Sequence, residues 1–272
     1  MTISLPMYRA LCYADVFDFP LTLEEMQRFA IRTGKTISFS EIQKKVKHMR
    51  GYYYLQGRAK LVAKRERGLQ IVKHKHALAR QAAQFFRLFP MISAVFITGG
   101  LAVGNVVEQD DIDFMIVTKP GWLWTTRFFV VGLSKLLGRY THKRRTRLEA
   151  TPADANTWCL NFWVDETTLE VPKKFRNLYT AHEVMQATPI LDRAHIAERF
   201  LAKNTWIFAF LAKQVQKHVI ENVQQIQPSV LEQFFFFLQR TAVGKQQSYV
   251  RVARFFPKDT GSFVLNTWKN RI

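Results

Sequence analysis

A chain of 272 residues that is 48% hydrophobic and 14% aromatic can fill one large core or two to three small ones, which excludes a disordered chain. Its 40 Lys and Arg against 21 Asp and Glu leave a formal charge of +19, which favours phosphate-bearing partners or an anionic surface. Cys12 and Cys159 are too few for a disulfide framework, and neither a secretory leader nor an apolar run near 18 residues occurs, so the expectation is a cytoplasmic protein with no membrane span.

The first segment opens with helix signals. In "DFPLTLEEMQRFAIRTG" a proline precedes a Thr22-x-x-Glu25 capping box, Met26, Phe29 and Ala30 follow at helical spacing, and Gly34 reads as the stop. "SFSEIQKKVKHMRG" offers Ser38 or Ser40 as a second cap, with Ile42, Val46 and Met49 on one face and Gly51 ending that helix. "YYYLQGRAKLVAKR" then predicts two short strands, 52–55 and 60–63, joined at Gly57. Helices followed by a hairpin describe a winged helix. Residues 44 to 87 hold thirteen Lys or Arg and one acid, Glu66, so RNA or DNA is a candidate partner, against a structural module whose charges are simply solvated.

A basic helix over 68–87 leads to "SAVFITGG", a strand running into paired glycines, and then to "DIDFMIV", a second strand. Alternation puts Asp111, Asp113 and Met115 on one face and Ile112, Phe114 and Ile116 on the other. Residues two apart on a strand are about 6.5 to 7 Å apart, so the two carboxylates can share a divalent cation, and oxygen ligands favour Mg²⁺ or Mn²⁺ over Zn²⁺. Without such a charge, two acids in a sheet repel and lose hydration. Leaving a strand at Gly99 and Gly100 lets the backbone approach a phosphate beside that metal.

"FITGG", ten residues, then "DIDFMIV" resembles the DNA polymerase β-like nucleotidyltransferase superfamily over roughly residues 93 to 171. The resemblance implies an NTP substrate with its phosphates on Gly99 and Gly100, and metal on Asp111 and Asp113. It also implies a third acid on a later strand, which here is "WCLNFWVDETTLEV". Asn161 stands at the central position, Asp165 shares its face, and Glu170 is another acid with apolar flanks, so three candidates stay open. Asn161 can coordinate a cation through its carbonyl but cannot act as a base at neutral pH.

"GWLWTTRFFVVGLSKLLG" predicts a helix with Trp122, Trp124 and Phe128 in the core and Arg127 as a candidate phosphate contact. Five basic residues between 139 and 147 form a cluster able to grip a polyanion, or a solvated loop. From about residue 175 the chain reads as mainly helical, with Ser229 near a cap, and His182, Glu183, His195 and His218 lack zinc spacing. The expected architecture is α+β: a winged helix in 1–66, a nucleotidyltransferase core with a mixed sheet in 67–172, and a helical domain in 173–272. The expected activity is metal-dependent transfer of a nucleoside monophosphate from an NTP to an acceptor, with Asp111, Asp113 and Asp165 catalytic. The alternative is an inactive member of that fold serving as a nucleic-acid-binding or regulatory module.

Overall fold

The computed structural model describes residues 2–140, 155–212, 227–243, 248–249, 252–254 and 260–272, with Asn161, 241–243, 248–249 and 252–254 described by backbone alone. The first unit is built from α1 (Leu5–Asp15), β1 (Leu21–Thr22), α2 (Leu23–Arg28), α3 (Phe39–Lys45), β2 (Val46–Met49) and β3 (Tyr52–Leu55). Its three strands lie in the order β1-β3-β2, all antiparallel. Both predicted caps form reciprocal boxes. Thr22 Oγ1 accepts the Glu25 N–H at 3.3 Å while Glu25 Oε2 accepts the Thr22 N–H at 2.8 Å, and Ser38, not Ser40, does the same with Glu41.

Two boundaries differ from the sequence expectation. α2 stops at Arg28 rather than Gly34, because Ile31 leaves the helix to bridge Leu211. The hairpin is formed by 46–49 and 52–55, not by 52–55 and 60–63. Arg50 and Gly51 both adopt positive φ, 52° and 82°, the two-residue turn that matches strand twist, so Gly51 turns a hairpin instead of ending a helix. Residues 60–63 open α4 (Lys60–Arg87), a single 28-residue helix that crosses the expected 66/67 boundary.

The main sheet contains β4 (Ile92–Ile97), β5 (Ile112–Thr118), β6 (Trp158–Asp165), β7 (Thr188–Asp192), β8 (Ser248–Tyr249) and β9 (Val252–Arg254), in the order β7-β4-β5-β6-β9-β8. β5 and β6 are parallel and the other pairs antiparallel, so the fold is α+β with a mixed sheet. α5 (Gly99–Val103) joins β4 to β5, and α6 (Leu123–Leu136) lies between β5 and β6. α7 (Leu178–Gln186), α8 (Ile196–Lys203), α9 (Val230–Val243) and α10 (Thr260–Arg271) complete the helices. The segment after residue 173 is therefore not all helix. Thr188-Pro189 cannot continue α7, and Pro189 is accommodated on an edge strand of the sheet.

Strand alternation divides the core. Ile112, Phe114 and Ile116 face Ala79, Ala82 and Phe86 of α4 and Trp124 and Val130 of α6. Met115 and Val117 face the other way, into a core shared by α1, α2, α7, α8 and α10. Trp124 is fully buried as expected, whereas Trp122 and Phe128 are 42% and 40% exposed. The first unit thus shares one core with the sheet, tied by Asp15, which is buried and accepts from Arg58 Nε at 2.9 Å while pairing with Arg271. Asp15→Ala leaves the partly exposed Arg271 guanidinium without its anion and Arg58 with Asp18 alone. An expected loss of about 2 kcal/mol, discounted for that exposure, is measurable by urea unfolding; a change below about 0.5 kcal/mol, the level of an ordinary surface substitution, would show that the clamp carries little.

Candidate functional site

The site begins where β4 ends. Thr98 N–H donates to the Asp113 carbonyl at 3.0 Å, which sets the glycine turn directly beside the acidic strand. Gly99 has φ +62°, and a Cβ there would stand 2.6 Å from Asp113 Oδ2, so this glycine gives the carboxylate its place. Gly100 is needed for a different reason. A Cβ at Gly100 would lie 2.6 Å from the Asn105 carbonyl, and Asn105 N–H donates to the Gly100 carbonyl at 2.8 Å. The two glycines therefore divide the work between the site and the closing of a tight loop.

Asp111, Asp113 and Cys159 converge, their ligand atoms within 4.8 Å of one another. Parallel pairing explains the third member: Asp113 is in register with Cys159, so the thiol occupies the position next to the acids on β6. Both aspartates are half-buried and Cys159 is buried. Desolvation, then Asp113 and Asp110, raises the Asp111 carboxyl well above the ordinary range; desolvation first also raises Asp113, with Glu183 adding to it and the Cys159 thiol opposing. Burial and the two carboxylates push the Cys159 thiol up in turn, so it stays protonated beside them. No ion pair reaches Asp111 or Asp113 among the described residues. The donor set fits a divalent cation: two carboxylates supply hard oxygen for Mg²⁺ or Mn²⁺, and the thiol would join only for a softer ion.

The loop before Asp111 is held from below by Lys75. Its ammonium, on a side chain buried in α4, donates to the carbonyls of Glu108 and Asp110, at 3.1 and 2.5 Å, and to Asn156 Oδ1 at 3.0 Å. Burial lowers its pKa, and the nearby acids oppose that shift. In sequence Lys75 is one more basic residue of a basic helix; only its contacts with the loop distinguish it.

The remaining predicted residues lie elsewhere. Asp165 pairs in register with Thr118 at the far end of β6, six residues and roughly 20 Å from Cys159. There its Oδ1 accepts from Thr167 N–H and Thr167 Oγ1, at 2.9 and 2.5 Å, closing the turn after the strand. Asp165 is thus a turn-forming residue rather than the third acid, and Glu170 is exposed and paired with Arg176. The Asn161 side chain is outside the described residues. Arg127 stands on α6, on the opposite side of the sheet, and its Nη1 donates to Gln239 Oε1 of α9 at 2.6 Å. The basic residues at 143–147, and His218, fall outside the described residues.

Between the glycine turn and α1 is a cavity of about 180 Å³, bordered by Gly99, Gly100, Tyr13, Tyr179, His182 and Glu183. Burial raises the Glu183 carboxyl to about 7 and lowers the His182 imidazole to about 3. Neither residue is marked by spacing in the sequence, although "AHEV" does place a polar pair between apolar neighbours. No family model, curated protein or solved structure matches this chain.

A stability test follows from the aspartates. Their folded pKa values lie above the unfolded value of about 3.9, so what they contribute is complete below about pH 4 and is lost as pH rises through the folded values toward neutrality. In EDTA, wild type should lose thermal stability between pH 5 and 8 relative to the Asp111→Asn/Asp113→Asn double variant; parallel curves would contradict the shared burial of the two charges.

Proposed function

We propose that the chain is a metal-dependent nucleotidyltransferase that moves a nucleoside monophosphate from an NTP to an acceptor hydroxyl. The observation that carries this reading is the convergence of Asp111, Asp113 and Cys159 against the turn at Gly99. The order strand, glycine turn, acidic strand, helix, parallel strand supports it too. Asp111 and Asp113 would hold Mg²⁺ or Mn²⁺, which when bound neutralises phosphate charge and polarises the transferred phosphoryl group. The first N–H groups of α5 have no partner inside the helix and lie beside Asp113, where they can donate to phosphate oxygens. Lys75 keeps the preceding loop rigid, so the carboxylates do not relax apart. Cys159, in register with Asp113, supplies no base beside the two acids, so slow turnover is expected.

Calorimetry of Mn²⁺ with ATP or GTP tests this. Asp111→Asn and Asp113→Asn should each weaken metal-dependent nucleotide binding at least tenfold, and Cys159→Asp should raise turnover of labelled NTP in a mixed-acceptor screen. Unchanged affinity in both asparagine variants would overturn the reading.

A second reading rests on the first unit. The order α1-β1-α2-α3-β2-β3 supports the winged-helix reading, and Lys44 on α3, Lys47 on β2 and Lys60 and Arg67 on α4 are exposed. Not all thirteen basic residues are available, however: Arg50, Arg58, Lys64 and Arg65 face Glu66, Asp15, Asp18 and Glu25, and Lys75 is buried. Four productive phosphate contacts would give a salt slope of about −3 to −4 in log K per decade of salt. Fluorescence anisotropy on duplex and single-stranded oligonucleotides measures this, and no binding at low salt would remove nucleic acid as a partner.

A further inference from the structure

The cavity between α1 and the glycine turn has the character of a binding site. His182 is 2% exposed, stacks on Tyr13 at 4.0 Å with the rings 7° from parallel, and presents two ring nitrogens with no hydrogen-bond partner. Buried polar atoms almost always find partners, because leaving one unmet costs about 1–3 kcal/mol. An imidazole that forgoes both bonds while bordering a cavity points to a ligand that supplies them. Burial keeps it neutral, so it offers one donor and one acceptor, the complement of a hydroxyl group.

The walls narrow the ligand further. No lysine or arginine borders the cavity among the described residues, while Glu25 and Glu183 do, so an anion is disfavoured. Glu25 is already held by Arg65, with Nη2 to Oε1 at 2.6 Å, and adds no free charge. Tyr13, Phe17, Phe19 and Phe29 supply flat apolar faces suited to the C–H surface of a ring. A volume of about 180 Å³ is close to the roughly 150 Å³ that accommodates one six-membered ring. Gly99 borders both this cavity and Asp113.

We propose that this cavity seats an uncharged, hydroxyl-bearing ring of monosaccharide size, gripped by His182 and directed with one hydroxyl toward Asp113. Such a ring is the acceptor of the proposed transfer; that role rests on the nucleotidyltransferase reading, whereas occupancy of the cavity does not.

Two-dimensional NMR of ¹⁵N-histidine-labelled full-length protein reads the site without metal or nucleotide. D-glucose and myo-inositol are the neutral probes, with glucose 6-phosphate and glucosamine as anionic and cationic counterparts. At least one neutral probe should shift the His182 ring resonances saturably at millimolar concentration. His182→Phe, observed through the neighbouring tyrosines, and Ala14→Leu, which fills the cavity from α1 and keeps His182, should each weaken that binding at least tenfold. No shift with either neutral probe, a shift given only by the charged probes, or a shift unaltered in Ala14→Leu would overturn the proposal. Mn²⁺ and NTP binding measured in the same samples separates the two claims: its persistence without ring binding rejects the cavity alone, and its absence alongside ring binding rejects the transferase reading alone.

Discussion

Two half-buried carboxylates held side by side at the start of a buried strand, with a protonated thiol beside them, are the constraint around which this molecule is arranged. Mutual repulsion and lost hydration oppose the arrangement; among the described residues no ion pair reaches either acid, and Lys75, which is near enough to attract Asp111, gives its hydrogen bonds to the loop instead. A soluble domain built only for stability would place a lysine or an apolar side chain at one of these positions. The proposed cation would offset this cost.

Several otherwise separate features hold the acids in place. Lys75 spends a buried ammonium on the carbonyls of the loop that delivers Asp111. Gly99 gives up a side chain so that Asp113 can lie against the turn, and Gly100 does so to let the chain close on Asn105. The apolar faces of β5 are packed from both sides, which keeps the register with β6 and hence the distance to Cys159. The first unit is part of the same device. α1 shares a core with the sheet, Asn105 Nδ2 donates to the Phe17 carbonyl at 3.0 Å, and α1 forms one wall of the cavity beside the glycines.

Local patterns in the sequence revealed most of the elements. The alternation of 111–117 identified the acidic face, and the Thr22 and Ser38 boxes located two helix starts, because those signals depend on neighbours within a few residues. What depended on pairing was not legible. Asp165 shares strand and face parity with the expected third position, yet parallel register with β5 takes it to the opposite end, and the thiol of Cys159 lies beside the acids instead. Gly51 carries the same letter whether it ends a helix or turns a hairpin, and positive φ at Arg50 decides for the hairpin. Residues 188–192 become a strand because β4 offers an unpaired edge far back in the sequence. His182 and Lys75 were hidden for the same reason: their significance comes from what surrounds them in space.

The central claim is that Asp111 and Asp113 share a divalent cation. Crystals soaked with Mn²⁺ and a non-hydrolysable NTP, with diffraction recorded at the manganese edge, address it most directly. The account predicts an anomalous peak within coordination distance of both carboxylates, with the nucleotide phosphates lying over Gly99. An ordered nucleotide bound elsewhere, or no anomalous peak at the pair at saturating Mn²⁺, would contradict it.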